Sequence, residues 1–423
     1  MAGTDSNNTG MAGMASNAIA GGNPAQANPA AGAVPARTLP GSGQTVAVIG
    51  GGIGGLTAAL LLQRNGFAVT VYDQAAALKE IGAGICVFPN GMRVLHHLGL
   101  GGLLEAQSVP FTGFGLWSQG GKVMQSVQFP RHEVAGISIH RGLLHSTLLK
   151  AFSGTVVPGH RCTGLRRIDG RLLPEFANGS VADADIVIGA DGYNSALRQT
   201  LIAGSVPQYQ HYVEWRGVAD LDCSAEVGRD LIELQGRGLR FGIFAIGGGK
   251  TAWWITSNEP QQLDLPASQF QVHLLQKMAG FAPLVGKLLA ATPANAMMRT
   301  PLFDLDPQET WFDANLCLLG DAIHPATPNL GQGASMAIED AAALVNALAR
   351  HPDRGAAFAA YRQERQQRCA QVQKVARTLG KMGQWSNPLA VWLRELSIKL
   401  TPGTVLFATT IKLQEFKPSL DAC

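Results

Sequence analysis

The stretch TVAVIGGGIGGLTAALLLQRNGFAVTVYDQ (45–74) constrains this chain more than any other. A β-branched run, TVAVIG, meets a glycine turn, then an apolar helix-like segment, then a second β-branched run, AVTVYD. That order reads strand, turn, helix, strand, the unit from which parallel sheets are built. Gly50, Gly52 and Gly55 fall in G-x-G-x-x-G spacing within the turn. In that pattern the first glycine permits a tight turn, the second lets backbone approach a pyrophosphate, and the third lets helix and strand pack closely. Ile53 and Gly54 lie between them and open the helix, whose free N–H groups suit phosphate. Asp73, followed by Gln74, ends the second strand 18 residues after Gly55, where an acid accepts from a ribose hydroxyl. Such an acid repels a 2′-phosphate, so NAD and FAD both suit this motif.

The strand-to-glycine-turn pattern returns twice. ADIVIGADGYNSALRQ (184–199) runs from an apolar strand into Asp191-Gly192, with Asn194 or Ser195 placed to cap a helix. LCLLGDAIHPATPNLGQGASMAIEDAAALVNAL (316–348) sets Asp321 at a strand end. Its Pro-punctuated loop then leads through Gly331-Gln332-Gly333 into an amphipathic helix. A helix start behind a strand-end acid can receive ring carbonyls, ribityl hydroxyls or phosphates.

These three stretches, in this order and at these separations, resemble the three fingerprints of the class A (single-component) flavoprotein monooxygenases, the p-hydroxybenzoate hydroxylase-like family. IHRGLLHSTLL (139–149) is similar to the family's Arg-bearing helix start, so the likeness runs from about residue 45 to 385. The resemblance implies an α/β fold: a Rossmann-like FAD-binding domain of the GR2 (p-hydroxybenzoate hydroxylase) type, an inserted, mainly antiparallel β substrate domain, and C-terminal helices. It implies one non-covalent FAD held by separated pieces of chain. Gly50–Gly55 would hold the pyrophosphate, Asp73 with Gln74 the adenosine ribose, and Asp321 a ribityl hydroxyl. Pro328, Leu330, Gly331, Gln332, Gly333 and Ala334 would line the isoalloxazine edge. Arg141 would contact the flavin chain, Cys86 would lie near it, and Asp191 would serve both FAD and the reducing nucleotide. NADH or NADPH and O₂ are the implied co-substrates. The family has no separate nicotinamide domain, which accords with the lack of a second G-x-G-x-x-G unit. The implied reaction is oxygen transfer from a flavin C4a-hydroperoxide to an electron-rich aromatic, heteroaromatic or alkene substrate, a hydroxylation or an epoxidation.

Between 206 and 299, HYVEWRGVADL, LIELQGRGLRFGIFAI and KTAWWITSN read as antiparallel strands, with Gly-Gly-Gly (247–249) as a hairpin turn. W-R-G (215–217) followed by G-x-G-x-R-F (236–241) resembles the branch containing FAD-dependent urate hydroxylases and zeaxanthin epoxidase. In the urate hydroxylases the Arg matching Arg240 steadies the substrate anion. The neighbouring substrate-facing Tyr is replaced by Ala252, which would enlarge the pocket and remove a hydroxyl. His211, Trp215, Phe241, Ala252 and Trp253 are the expected substrate-lining residues. The flavin domain is expected over 45–115, 140–205 and 300–385, the substrate domain over 116–139 and 206–299, and a helical segment over 386–423. Two rival activities share the flavin motifs: an FAD-dependent reductase or dehydrogenase of an isoprenoid-like substrate, and a flavin-dependent halogenase. The halogenase lacks support because W-x-W-x-I-P is absent and AWWIT (252–256) does not replace it.

Composition narrows the partners. A net charge of +3 without a Lys/Arg run argues against nucleic acid. The six cysteines are scattered with no C-x-x-C pair, which suits reduced thiols and no metal site. Residues 1–44 hold one acid, one base and no aromatic residue, the composition of a disordered tail. No apolar run approaches the roughly 20 residues of a spanning helix. The reading is a cytoplasmic enzyme of a small molecule, monomeric or homodimeric. WSNPLAVWLRELSIKL (385–400) and VLFATTIKL (405–413) read as short amphipathic helices. These would pack on the flavin domain or in a dimer, with peripheral membrane contact as the alternative.

Overall fold

Short runs of Val, Ile and Leu bounded by glycine or polar residues make strands buried on both faces. The computed structural model describes residues 43–78 and 82–421. In it such runs form a six-stranded sheet in the order Phe312–Asp313, Leu316–Leu318, Ile186–Gly189, Thr45–Ile49, Ala68–Tyr72, Thr155–Val157. All neighbours are parallel except the first pair. The strands that feed the three glycine turns are therefore adjacent, and their C-terminal ends share one edge of the sheet. Helices Ile53–Arg64 and Gly333–Arg350 pack on each other, with Leu56, Leu61, Ile338 and Leu344 inaccessible in a core shared with Val48, Ile188 and Leu318.

A second, seven-stranded sheet runs Met298–Asp304, Gln208–Ala219, Lys250–Ser257, Leu239–Gly247, Asp230–Gln235, Gly113–Ser118, Val123–Gln128. It is antiparallel apart from the pairing of Asp230–Gln235 with Gly113–Ser118. Strands Gly113–Ser118 and Met298–Asp304 run through the expected domain divisions at 115/116 and 299/300. A hydrogen-bonded ladder continues wherever backbone partners exist, whatever the side chains do. Gly247, Gly248 and Gly249 all have left-handed φ (+85°, +62°, +68°) and turn the hairpin.

A three-stranded sheet (Gly84–Val87, Ile137–His140, Val109–Pro110) lies between the two large ones. The Ser138 hydroxyl donates to the Ala245 carbonyl at 2.6 Å and ties it to the lid sheet. After the long helix Arg354–Gly383, helix Pro388–Leu400 leans on lid strand Val123–Gln128, and Ala408–Gln414 packs on Pro89–His97. The tail expected over 1–44 lies, up to residue 42, outside the described residues.

Candidate active site

The first turn contains glycines of two kinds. Gly50 has φ +111°, and a Cβ there would stand 2.2 Å from the Ala190 carbonyl oxygen. A Cβ on Gly55 would meet the Gly50 carbonyl oxygen at 2.0 Å. The protein's own backbone demands both. Gly52 faces open space, with nothing within 4 Å of its Cβ position. It is also the N-cap of Ile53–Arg64 and offers no side-chain cap, so Ile53, Gly54 and their neighbours present free N–H groups there. The Asp73 carboxylate shapes the turn, accepting from the backbone N–H of Gly51 and of Ala75 at 2.8 Å each. Gln74 beside it is exposed. His145 Nε2 lies 2.7 Å from the Gly51 carbonyl and joins helix Arg141–Ala151 to the same turn.

In the second turn, Asp191 Oδ2 accepts from the Ala196 N–H at 2.8 Å, and the Ser195 hydroxyl accepts from the Arg198 N–H at 2.9 Å. Asp191 Oδ1 is buried and, among the described residues, has no hydrogen-bond partner. Burial pushes this carboxyl up despite the Ser195, Leu197 and Ala196 donors. Arg198 is fully buried and donates to the carbonyls of Ser205, Ala322 and Tyr193. It thereby bolts the second turn to the third. Asp321 lies just past strand Leu316–Leu318 and is exposed, in the cleft it shares with Arg141. Burial raises its carboxyl, opposed by His324, Arg141 and Arg198. Arg141 opens its helix at the same cleft and feels both Asp321 and Arg216. Cys86 also lines crowded space, and burial pushes its thiol up to about 12, so it is no nucleophile.

Pro328–Leu330 forms a single tight turn ended by Gly331 at φ +64°, whose Cα faces the Phe88 ring. Gly333 starts helix Gly333–Arg350 with open space before it, and Ala334 follows half-buried. Gln332 is buried: its Oε1 accepts from Asn90 Nδ2 at 3.1 Å, while its Nε2 has no partner among the described residues. Behind the loop, Asp340 accepts from His324 Nε2 (2.5 Å), Arg365 Nε (2.8 Å) and the Gly320 N–H (2.9 Å). Burial alone would depress His324, but Cys369 and Asp340 beside it hold it well above the usual imidazole range. Burial would raise Asp340, yet His324 and Arg365 keep it far below the ordinary carboxylate range. His324, Asp340 and Cys369 are close enough to share a metal, but Asp340 is already paired with the Arg365 guanidinium. The cluster is an ion-paired prop for the loop.

Strand alternation sorts the lid residues. Arg240, Phe244, Ala252, Trp254, Thr256, Glu214 and Arg216 share the face toward the flavin-type half. Trp215, Phe241 and Trp253 point the other way, into a core roofed by helices Phe270–Lys277 and Pro283–Ala290. There Trp215 meets Phe270 edge-on at 4.7 Å, and Phe241 stacks on Trp253 at 5.9 Å. These three expected lining residues are thus structural core, because each is an odd neighbour of a cleft-facing residue. His211 sits exposed on a bulge at φ +63°, its ring beside Tyr209. Ala252 does face the cleft side, but it opens no space: it is 1% exposed and presses on Gly84, where a Cβ would come within 2.2 Å of its own. The floor strand fills the room a larger side chain would take.

Arg240 is 3% exposed and surrounded by protein acceptors. Its Nε donates to Thr256 Oγ1 (2.9 Å) and Gln384 Oε1 (3.2 Å), and its Nη2 to Asn329 Oδ1 (2.6 Å). Glu233 stands 3.4 Å from Nη1. The guanidinium has its anion within the lid, so burial cost no longer calls for an anionic substrate. Instead Arg240 ties its own strand, the Pro328–Leu330 loop and the end of helix Arg354–Gly383 together.

The open cradle at Gly52, the unpartnered Asp191 Oδ1 and Gln332 Nε2, and the cleft position of Asp321 together fit a long ligand bearing phosphates and many polar groups. Residues 44–376 match the family model for an FAD binding domain. The chain is 35% identical over 383 residues to aurachin C monooxygenase/isomerase of Stigmatella aurantiaca, spanning 89% of this chain and 99% of that protein. This chain belongs to the class A FAD-dependent monooxygenases. The monooxygenase is also 33% identical to 6-hydroxynicotinate 3-monooxygenase of Bordetella bronchiseptica, over 78% of its own length and 90% of that protein. Its fold matches Klebsiella pneumoniae HpxO complexed with FAD and uric acid with a TM-score of 0.80 at 27% identity, covering 88% and 96% of the two chains.

Around these positions lie further buried polar residues that were not expected as site residues. Asn90 is inaccessible and bridges Gln332 and Glu339. Tyr212 accepts from Asn329 Nδ2 at 2.9 Å through its hydroxyl. Glu214, with Arg216 Nε 3.2 Å away, is buried on the cleft-side face. Counting in twos from Arg240 and across the strand register reaches Trp254, Arg216 and Glu214. No local signal marks Asn90.

Proposed function

We propose that this monooxygenase uses NAD(P)H and O₂ to hydroxylate an electron-rich heteroaromatic ring held between the third glycine loop and the cleft-side face of the lid sheet. The observation that carries this reading is the convergence of three fingerprint turns on one cleft, with a lid face above it that is polar at one end and aromatic at the other. Relatives named for 6-hydroxynicotinate, urate and 3-amino-4-hydroxybenzoate support a ring with oxygen or nitrogen substituents.

Bound FAD supplies the redox chemistry, accepting reducing equivalents and activating O₂. The chain's residues bind, orient and exclude water. Gly52 and the N-terminus of its helix take the pyrophosphate, with Asp73 at the adenosine ribose. Asp321 and Arg141 would take the ribityl chain, the Pro328–Ala334 loop the ring edge, and Asp191 would serve both FAD and the reducing nucleotide. Phe88, Phe111 and Phe244 make a dry wall that keeps water from the activated oxygen. Trp254 packs against Gly242, where a Cβ would fall 2.0 Å from its ring, and offers the substrate a stacking surface. Glu214 and Arg216 give polar contacts at the other end. Arg240 is a positioning residue here, acting on the substrate through Asn329 and the lid.

The test is a screen of hydroxylated pyridines, quinolines and aminobenzoates with FAD-loaded enzyme under ¹⁸O₂. The expected result is substrate-stimulated NAD(P)H oxidation and a product carrying one labelled oxygen. Substrate-dependent NAD(P)H oxidation that proceeds anaerobically, with a reduced product, would establish the reductase reading instead.

A further inference from the structure

Helix Pro388–Leu400 divides its apolar residues between opposite faces. Val391, Arg394 and Ile398 are buried. Ile398 packs with Leu116 and Met124 of the lid sheet, and Arg394 donates to the carbonyls of Met382, Gly383 and Gly236. The helix is therefore rigidly held. Leu389, Trp392, Leu393, Leu396 and Leu400 occupy the opposite side, within roughly 100° of arc at 3.6 residues per turn. They are 65%, 58%, 50%, 37% and 73% exposed. The stripe is part of a larger concentration. Of the 17 exposed large hydrophobic side chains among the described residues, 10 lie between Leu379 and Leu406. Scattered exposed apolar residues are ordinary in a folded protein, but a contiguous patch of this kind marks an interface.

The charges around the patch decide between occupants. Lys381 and Lys399 are exposed within it, and Arg237 is held at its edge by the Ser386 carbonyl, 3.4 Å away. Glu395 is the one acid from 379 to 406, and Lys399 lies 4.0 Å from it. A second copy seated on this face by a twofold axis would bring the same excess of cations to both sides of the interface. An anionic bilayer complements them, and Trp392 is suited to the boundary between headgroups and acyl chains. We propose that this face is a peripheral membrane-docking surface: the Leu389–Leu400 stripe enters the acyl boundary of an anionic leaflet while Lys381, Lys399 and Arg237 meet its headgroups. The enzyme would rest on the membrane rather than span it, in keeping with the absence of any long apolar helix among the described residues. This inference stands apart from the ring chemistry proposed above.

Flotation of the full-length, FAD-loaded enzyme with vesicles tests it. One set is phosphatidylcholine alone, and the other contains phosphatidylglycerol. The enzyme is expected to float with the phosphatidylglycerol vesicles, at least tenfold more weakly with neutral ones, and less at high salt. Trp392→Glu with Leu393→Glu should reduce flotation at least tenfold while FAD content and melting temperature stay as in the wild type, because both side chains touch solvent. No binding to either vesicle, or undiminished binding by the double variant, would overturn the proposal. So would a wild-type dimer, seen in sedimentation without vesicle binding, that the same variant dissociates.

Discussion

The flavin half and the lid half of this enzyme are built under opposite constraints. In the flavin half, backbone approaches backbone: Gly50 meets Ala190, Gly55 meets Gly50, and Arg198 reaches from one turn to a carbonyl of another. Residue identity there follows from chain geometry, position by position. In the lid half the sheet buries large apolar side chains on both faces, with Trp215, Phe241 and Trp253 on one and Phe244, Ala252 and Trp254 on the other. Identity there says little about direction. The comparison teaches that motif residues carry local, readable constraints, while a doubly buried sheet hides which of its faces does chemistry.

Substitutions can break this contrast. The largest effect is expected from Gly55→Val, which must displace the Gly50 carbonyl; a loss of more than about 4 kcal/mol should leave no soluble folded enzyme. Recovery of a well-folded variant by circular dichroism would show that the turn is more plastic than its contacts imply. Arg240→Met comes next. It strands Glu233 and cuts the tie to Asn329, so stability in urea should fall by about 3 kcal/mol. Adding Glu233→Gln should restore most of that loss. If turnover recovers with it, Arg240 is a tie; if KM stays raised in a restored fold, Arg240 touches substrate.

Gly52→Val sharpens the comparison from within the flavin half. Its backbone is ordinary extended chain (φ −74°) with open space at the Cβ, so the apo protein should melt at the wild-type temperature. FAD affinity should nevertheless fall at least about a hundredfold, roughly 2.7 kcal/mol, read by fluorescence titration. The smallest effect concerns the His324–Asp340 prop. Asp340 is held low, so its contribution is present above about pH 3.9 and is lost as pH falls. His324 is held high, so its contribution is full below about pH 6.5 and is lost as pH rises through its folded value. The melting temperature should therefore show a plateau between those limits, and Asp340→Asn should flatten both shoulders. An unchanged profile in that variant would mean the pair is not ionised in the folded protein.

The strand–turn–helix order, the three fingerprints and the family are all legible in the residues alone. Each rests on contacts within a few residues of chain: a left-handed turn at Gly50, an acid at a strand end, a free helix start. Gln332 and the helix start at Gly333 were legible for the same reason. Direction and partnership emerge only once the chain is folded. Arg240 reads as an unpaired cation in sequence because Glu233, Thr256, Asn329 and Gln384 reach it from separate strands, a loop and a helix. Trp253 and Trp254 are chemically equal neighbours, and only the helices packed on one side and Gly84 on the other assign them to core and cleft. Alternation fixes that successive residues face opposite ways, but with apolar layers on both sides it cannot say which way is in.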